Sequence, residues 1–190
     1  MAILGRRSLI WIATLALWGP PSAAFAATLP EGGVTQEYDL KAAFLFNFTR
    51  FVEWPDAAFA NAAAPITIGI VGGDPFGESL DEIVADETVD NRKLVVRRFR
   101  SIEQVEDCQI LFIHPSLVSH MEQLRARLGG RSVLTVGENK EFTARGGMIA
   151  FETVKNRVRL RVNLEAARAA KLTISSMLLR QAKIVGSEKM

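Results

Sequence analysis

The sequence predicts an α/β fold: a mostly parallel sheet flanked by helices on both faces, with a C-terminal antiparallel hairpin and a long final helix. Three observations carry this. Short apolar runs alternate with helix-period segments, the pattern of a parallel sheet covered on both faces. The run Ile66 to Val71 ends in a Gly/Pro turn, Gly72 to Gly77, and leads into a helical stretch, Glu78 to Val84, which is the opening of a βα unit. Near the end, Arg157 to Val162 alternates strictly, with Val158, Leu160 and Val162 on one side and Arg157, Arg159 and Arg161 on the other.

Taken in order, residues 1–26 have the three parts of a secretory signal peptide. Arg6 and Arg7 form the basic start, Ser8 to Trp18 the apolar run, and Ala24-Phe25-Ala26 the cleavage motif, so the mature chain is expected to begin at Ala27 in the periplasm. The arginine pair fits a Sec signal and also resembles a twin-arginine signal; an uncleaved anchor is the structural alternative. Residues 27–35 read as a flexible start, 36–186 as one domain and 187–190 as a tail. Gln36 to Val52 has Leu40, Phe44, Phe48 and Phe51 at helical spacing, and Trp54-Pro55 stops that helix, since a residue before proline avoids the α region. After the βα unit, strands are expected at Leu94-Val95-Val96, Gln109 to Ile113 and Val133 to Val136. A helix from Ser116 to Leu128 ends at Gly129-Gly130. Met148 to Val154 and Arg157 to Val162 form the hairpin about Lys155-Asn156, at the sheet edge. Asn163 caps the final helix, whose buried stripe would be Ile174, Leu178, Ala182 and Val185.

Composition narrows the function. Of 23 basic residues, Arg6 and Arg7 fall in the leader, leaving 21 against 21 acidic ones. A neutral domain lacks the clustered charge that sequence-independent nucleic-acid binding needs. Cys108 is the single cysteine, so no intramolecular disulfide can form; at the head of an apolar run it reads as a buried thiol. His114 and His120 are the two histidines, and no G-x-S-x-G turn accompanies them, so no catalytic residue, metal site or cofactor is expected. The loop Gly72 to Gly77 lacks the Lys of a phosphate loop, although its backbone N–H groups could hold a small anion. Arg97, Arg98 and Arg100, with Arg157, Arg159 and Arg161, read as a solvated strand face or as a basic surface. The first helix is the most unusual segment. Asn47 and Arg50 sit among phenylalanines, before Glu53-Trp54-Pro55, and polar groups there need partners or a polar cavity.

That segment, Lys41 to Pro55 (KAAFLFNFTRFVEWP), resembles the opening helix of the YfiR family of periplasmic regulators. Ile66 to Gly72 with Asp74 to Gly77, Cys108 to Ile113, Val133 to Gly137, Phe142, Gly146 to Ile149, Asn156 to Arg159, Asn163 to Ala167 and Ile174 to Leu179 follow in the family's order, over about residues 37–185. The resemblance implies a small α/β domain, often a homodimer, that acts without catalysing a reaction. It implies repression of an inner-membrane diguanylate cyclase through the cyclase's periplasmic part. It also implies sequestration by an OmpA-like outer-membrane lipoprotein, with control of cyclic di-GMP, biofilm and motility. The family's redox control through intramolecular disulfides has no counterpart where Cys108 stands alone. Asn47, Arg50, Glu53 and Trp54, and then Asp74, Pro75 and Phe76, are the expected ligand- or partner-binding residues. A periplasmic small-ligand carrier or sensor without a cyclase partner is the alternative.

Overall fold

A computed structural model describes residues 34–186. The leader, most of the expected flexible start and the tail lie outside the described residues. The elements run α1 (Val34–Phe51), β1 (Val52–Glu53), a 3-10 turn, β2 (Ile66–Val71), α2 (Glu78–Val84), β3 (Thr88–Val89), β4 (Arg92–Phe99) and β5 (Ile110–Ile113). There follow α3 (Met121–Leu128), β6 (Leu134–Glu138), α4 (Asn139–Ala144), β7 (Ile149–Val154), β8 (Arg157–Asn163), α5 (Leu164–Ala169), β9 (Thr173–Ile174), α6 (Ser176–Leu179) and β10 (Ala182–Val185).

Eight strands form one sheet in the order β10-β8-β7-β6-β5-β2-β4-β3, and β1 pairs with β9 in a separate two-stranded ladder. β4, β2, β5, β6 and β7 are mutually parallel. β2, β5 and β6 are short runs buried on both faces, hence their unbroken apolar character. Register sorts their side chains into two cores. Ile68, Ile70, Ile110, Phe112, Val136, Ile149 and Phe151 meet α1, α2 and the C-terminal segments. Val71, Leu111, Ile113 and Ala150 meet α3 and the Phe142 ring of α4. The helices thus cover both faces, as expected.

In α1 the covered stripe is Ala42, Leu45 and Phe48, with Lys41 and Thr49 also buried; Leu40, Phe44 and Phe51 lie half-buried beside it. From Leu40 to Thr49 no residue of α1 is exposed. The Ser116–Leu128 segment divides into a 3-10 turn, Pro115–His120, and α3, which ends at Gly129 in the left-handed region.

The final helix is corrected. Its expected length breaks into α5, β9, α6 and β10, of six, two, four and four residues. Asn163 Oδ1 does accept the Ala166 N–H at 3.0 Å, but the helix ends where Lys171 turns to φ 59°. Thr173 and Ile174 then pair with Glu53 and Val52, and Ser175 Oγ accepts the Met177 N–H to start a new turn. Ile174 and Leu178 are buried as the stripe required, yet Ala182 and Val185 lie on a strand. β7 and β8 run antiparallel about Lys155-Asn156, both at positive φ, but not at the edge: β10 lies parallel to β8 and takes that place.

Cys108 is 3% exposed and burial pushes its thiol up to about 12. At pH 7 the thiolate fraction is then roughly 10⁻⁵, so the native chain should resist thiol reagents and label only on unfolding. Rapid labelling by a disulfide reagent without denaturant would contradict this burial.

Candidate functional site

The seven expected residues fall in two separate places. Twelve residues separate Tyr38 from Arg50 along α1, about 18 Å at 1.5 Å per residue. At the first end, Tyr38 packs edge-on against Phe76, which in turn packs edge-on against Phe112 at the end of β5. At the other end, Trp54 Nε1 donates to the Gln109 carbonyl at 3.1 Å, just before β5 begins. Asp74-Pro75-Phe76 and Asn47/Arg50/Glu53/Trp54 therefore sit at opposite ends of the parallel strands, and no single pocket holds both sets.

The end that carries Phe76 is the place where open parallel sheets bind ligands, at the C-terminal strand ends where the chain order reverses. Here β2 has β4 on one side and β5 on the other. The crevice is filled from within. The His114 ring lies against Gly73, where a Cβ would come within 3.1 Å of it, and Leu117 lies against Gly72, whose φ is +98°. Asp74 Oδ1 accepts the N–H groups of Phe76 (2.9 Å) and Gly77 (3.2 Å), and Asp74 Oδ2 accepts Arg98 Nε at 2.6 Å. The loop N–H groups of Phe76 and Gly77, candidates for holding an anion, thus already hold the chain's own carboxylate. Arg98 also grips Asp81, which lowers the Asp81 carboxyl below its ordinary range. His114 Nδ1 bonds Ser116 Oγ at 2.9 Å and His120 Nδ1 bonds Ser119 Oγ at 3.1 Å. Among the described residues no group of three or more His, Cys, Asp or Glu could hold a metal ion.

Sequence reasoning missed a buried ionic cluster beside Phe76. Lys41, 3% exposed, lies between Glu37, at 2.5 Å, and Glu138 at the end of β6. Its ammonium sits over the Tyr38 ring, 4.4 Å from the centroid. Tyr38 OH donates to Glu138 Oε2, and Thr153 Oγ1 donates to Glu37 Oε1 at 2.7 Å. Burial works against the Lys41 charge, but its bonds to Glu138 and Glu37 prevail and raise its pKa. Burial likewise opposes the Glu37 charge, and the bonds from Lys41 and Thr153 prevail to lower its pKa. The cluster ties α1 to the ends of β6 and β7. Its sequence signal is slight: a Glu-Lys pair four apart, ordinary on an exposed helix.

The other end of α1 is less complete. Arg50 is exposed, stacks on Phe46 at 4.7 Å and reaches Glu87 only at 3.4 Å. Half-buried Asn47 and exposed Glu53 have no side-chain partner among the described residues. Helical spacing puts Phe46, Asn47 and Arg50 side by side, with Phe51, Trp54 and Pro55 half-buried beyond them. A broad cleft of about 710 Å³ lies elsewhere, between α3 and α5, lined by Met121, Arg125, Met148, Asn163 and Ala166 among others. None of the seven expected residues lines it. Nor do the arginines form one face: β4 and β8 are far apart in the sheet, Arg97 pairs with Glu106, and Arg161 pairs with Glu152.

The fold and site define a small α/β domain whose strand-end crevice is closed by its own side chains, and which presents polar groups among aromatics at the end of its first helix. The chain belongs to the YfiR/HmsC-like family, whose model matches residues 38–183. A conserved domain protein from Vibrio cholerae O1 biovar El Tor strain N16961 is similar in structure. Its TM-score is 0.51 at 14% identity, over 77% of this chain and 59% of that one. The ABC domain in complex with L-Trp from Streptococcus pneumonia matches with a TM-score of 0.45 at 10% identity, over 63% of this chain and 55% of that one. The chain thus spans less than two-thirds of either solved structure. No curated protein matches it. No described helix is long and apolar enough to cross a membrane.

Proposed function

We propose that this chain is a periplasmic regulatory binding protein that represses an inner-membrane diguanylate cyclase by docking on the cyclase's periplasmic sensor region. Family membership supports the regulatory class. The observation that carries the docking surface is the end of α1, where among the described residues Asn47 and Glu53 lack side-chain partners and Arg50 has only a long surface pair beside Phe46 and Trp54. Aromatic and arginine side chains are the residues that anchor interfaces. Repression is a population shift: turning a sensor from 99% active to 99% inactive requires about 10⁴-fold tighter binding to the inactive state. An OmpA-like outer-membrane lipoprotein would relieve repression by competing for the free regulator, and a homodimer would double the docking surface.

Tagged protein, exported and processed, should recover a membrane diguanylate cyclase from solubilised membranes of its own source. The Arg50–Glu87 pair is about half exposed on both sides, so losing it costs the fold less than about 1 kcal/mol. Arg50→Ala should therefore leave the unfolding midpoint nearly unchanged while weakening cyclase binding roughly tenfold or more. Unchanged affinity in a folded variant would remove α1 from the interface. The cleft between α3 and α5 favours a second reading, a small-ligand carrier or sensor without a cyclase partner. Under that reading a metabolite would co-purify on native mass spectrometry and no cyclase would be recovered.

A further inference from the structure

β10 closes one side of the eight-stranded sheet, and among the described residues it pairs with β8 alone. Its outer backbone groups are thus available to a further strand. Register fixes what such a strand would meet. Lys183 lies beside Arg161, and so on the same face as Arg159 and Arg157. Arg161 is paired with Glu152, while Arg157, Arg159 and Lys183 are exposed and have no ion-pair partner among the described residues. α4 covers only the near part of this face, through Phe142 and Thr143; at its far end Val154 is 45% exposed. Between α4 and the edge runs a groove of about 430 Å³, lined by Lys140, Thr143, Arg161 and Val185 among others. The opposite face of β10 is apolar: Ala182 packs against the core, Ile184 is 52% exposed, and Met177 of the adjoining α6 is 50% exposed.

We propose that the free edge of β10 receives an extended segment of a partner protein that alternates acidic and apolar residues, adding a ninth strand to the sheet. Strand side chains alternate between faces, so acids at every second position would meet Lys183 directly and the long Arg159 and Arg157 side chains from β8, one strand further in and past the start of β10, while the intervening apolar residues cover Ile184 and Met177. A second copy of this chain fits less well, because its own Lys183 and arginines would come against these cations. A lysine on an edge strand also discourages indiscriminate pairing, and an acidic partner converts that barrier into selectivity. This surface is built on β8, β10 and α6 and uses none of the α1 residues of the docking surface.

The test uses the purified chain and two labelled heptapeptides of identical composition, Glu-Val-Glu-Val-Glu-Val-Glu and Glu-Glu-Glu-Glu-Val-Val-Val, compared by fluorescence anisotropy at low salt. The alternating peptide should bind at least about fivefold more tightly than the block isomer, and Lys183→Glu or Arg159→Glu should each weaken it about tenfold. Backbone amide exchange at residues 182–185 should slow when it binds. Both substitutions fall on exposed side chains, and circular dichroism verifies the fold. Equal binding of the isomers, no binding, or unchanged exchange at 182–185 would overturn the proposal. So would protection of 182–185 that rises with protein concentration alone, which would mean that a second copy holds the edge.

Discussion

Replacing Lys41 by methionine is expected to destabilise the fold by about 3 kcal/mol, the scale for removing one partner of a buried ion pair. The side chain keeps its length and its apolar stem, so the loss is electrostatic. Glu37 and Glu138, 26% and 13% exposed at their side chains, would be left facing each other without a cation between them. With native stability typically 5–15 kcal/mol, such a loss should appear as a large drop in the urea midpoint. Adding Glu138→Gln to Lys41→Met should recover part of it, because the remaining carboxylate no longer faces a like charge. A Lys41→Met protein as stable as the parent would show that the cluster adds nothing net.

The pH dependence of the same cluster has a definite sign. Glu37 is held below its ordinary value of 4.5, so its contribution is present above that pH and is lost as acid protonates it. Lys41 is held above its ordinary 10.5, so its contribution is full below that pH and is lost as alkali titrates it. The parent chain should therefore lose stability below about pH 4.5 through Glu37, and below 3.8, the ordinary value of Asp81, protonation of that Arg98-held carboxylate adds to the loss. The penalty of Lys41→Met should shrink over that acid range, since protonating a carboxylate relieves the repulsion. Urea midpoints of both proteins between pH 3.5 and 7, values chosen to bracket roughly the carboxylate range, check both signs.

Lys41 also shows where reading from the chain alone runs out. β2, β5 and β6 were legible because burial on both faces leaves an apolar run with few alternatives. Asn163 as a cap and Gly129 as a stop were legible because their chemistry is local. Lys41 is buried only because Glu138 arrives from 97 residues away, and no local pattern announces that. The long final helix failed for a related reason. Ile174, Leu178, Ala182 and Val185 fit a helical stripe, but Ile174 answers to Val52 across 122 positions and Ala182 to Leu160 on β8. Tertiary pairing overrode a period that only the first half of the segment obeys. The candidate site divided in the same way. The expected residues share short segments, yet α1 runs along one face and carries its two ends to opposite ends of the parallel strands, and Asp74 spends its carboxylate on its own loop.

Gly147→Ala is expected to cost about 3 kcal/mol, at the upper end for overpacking. A Cβ at Gly147 would lie 2.2 Å from the Phe142 ring, and one at Gly137 would lie 2.6 Å from the same ring. Phe142 is wholly buried between those two backbones, so it cannot swing into solvent to make room. The α4 and Gly147 backbones are also tied to each other, since the Gly147 N–H donates to the Phe142 carbonyl at 2.9 Å. Relief must come from moving β7 against α4 or from driving the ring off its rotamer, and a close-packed interior resists both. Phe142→Ala alone should cost about 3–5 kcal/mol by leaving a cavity. Combined, the two should cost clearly less than their sum, because the alanine methyl at 147 would occupy space the ring has vacated. A strictly additive pair in urea denaturation would mean that the clash is absorbed elsewhere, by a shift of the Gly146-Gly147 turn, and that the ring does not set the spacing between α4 and the sheet.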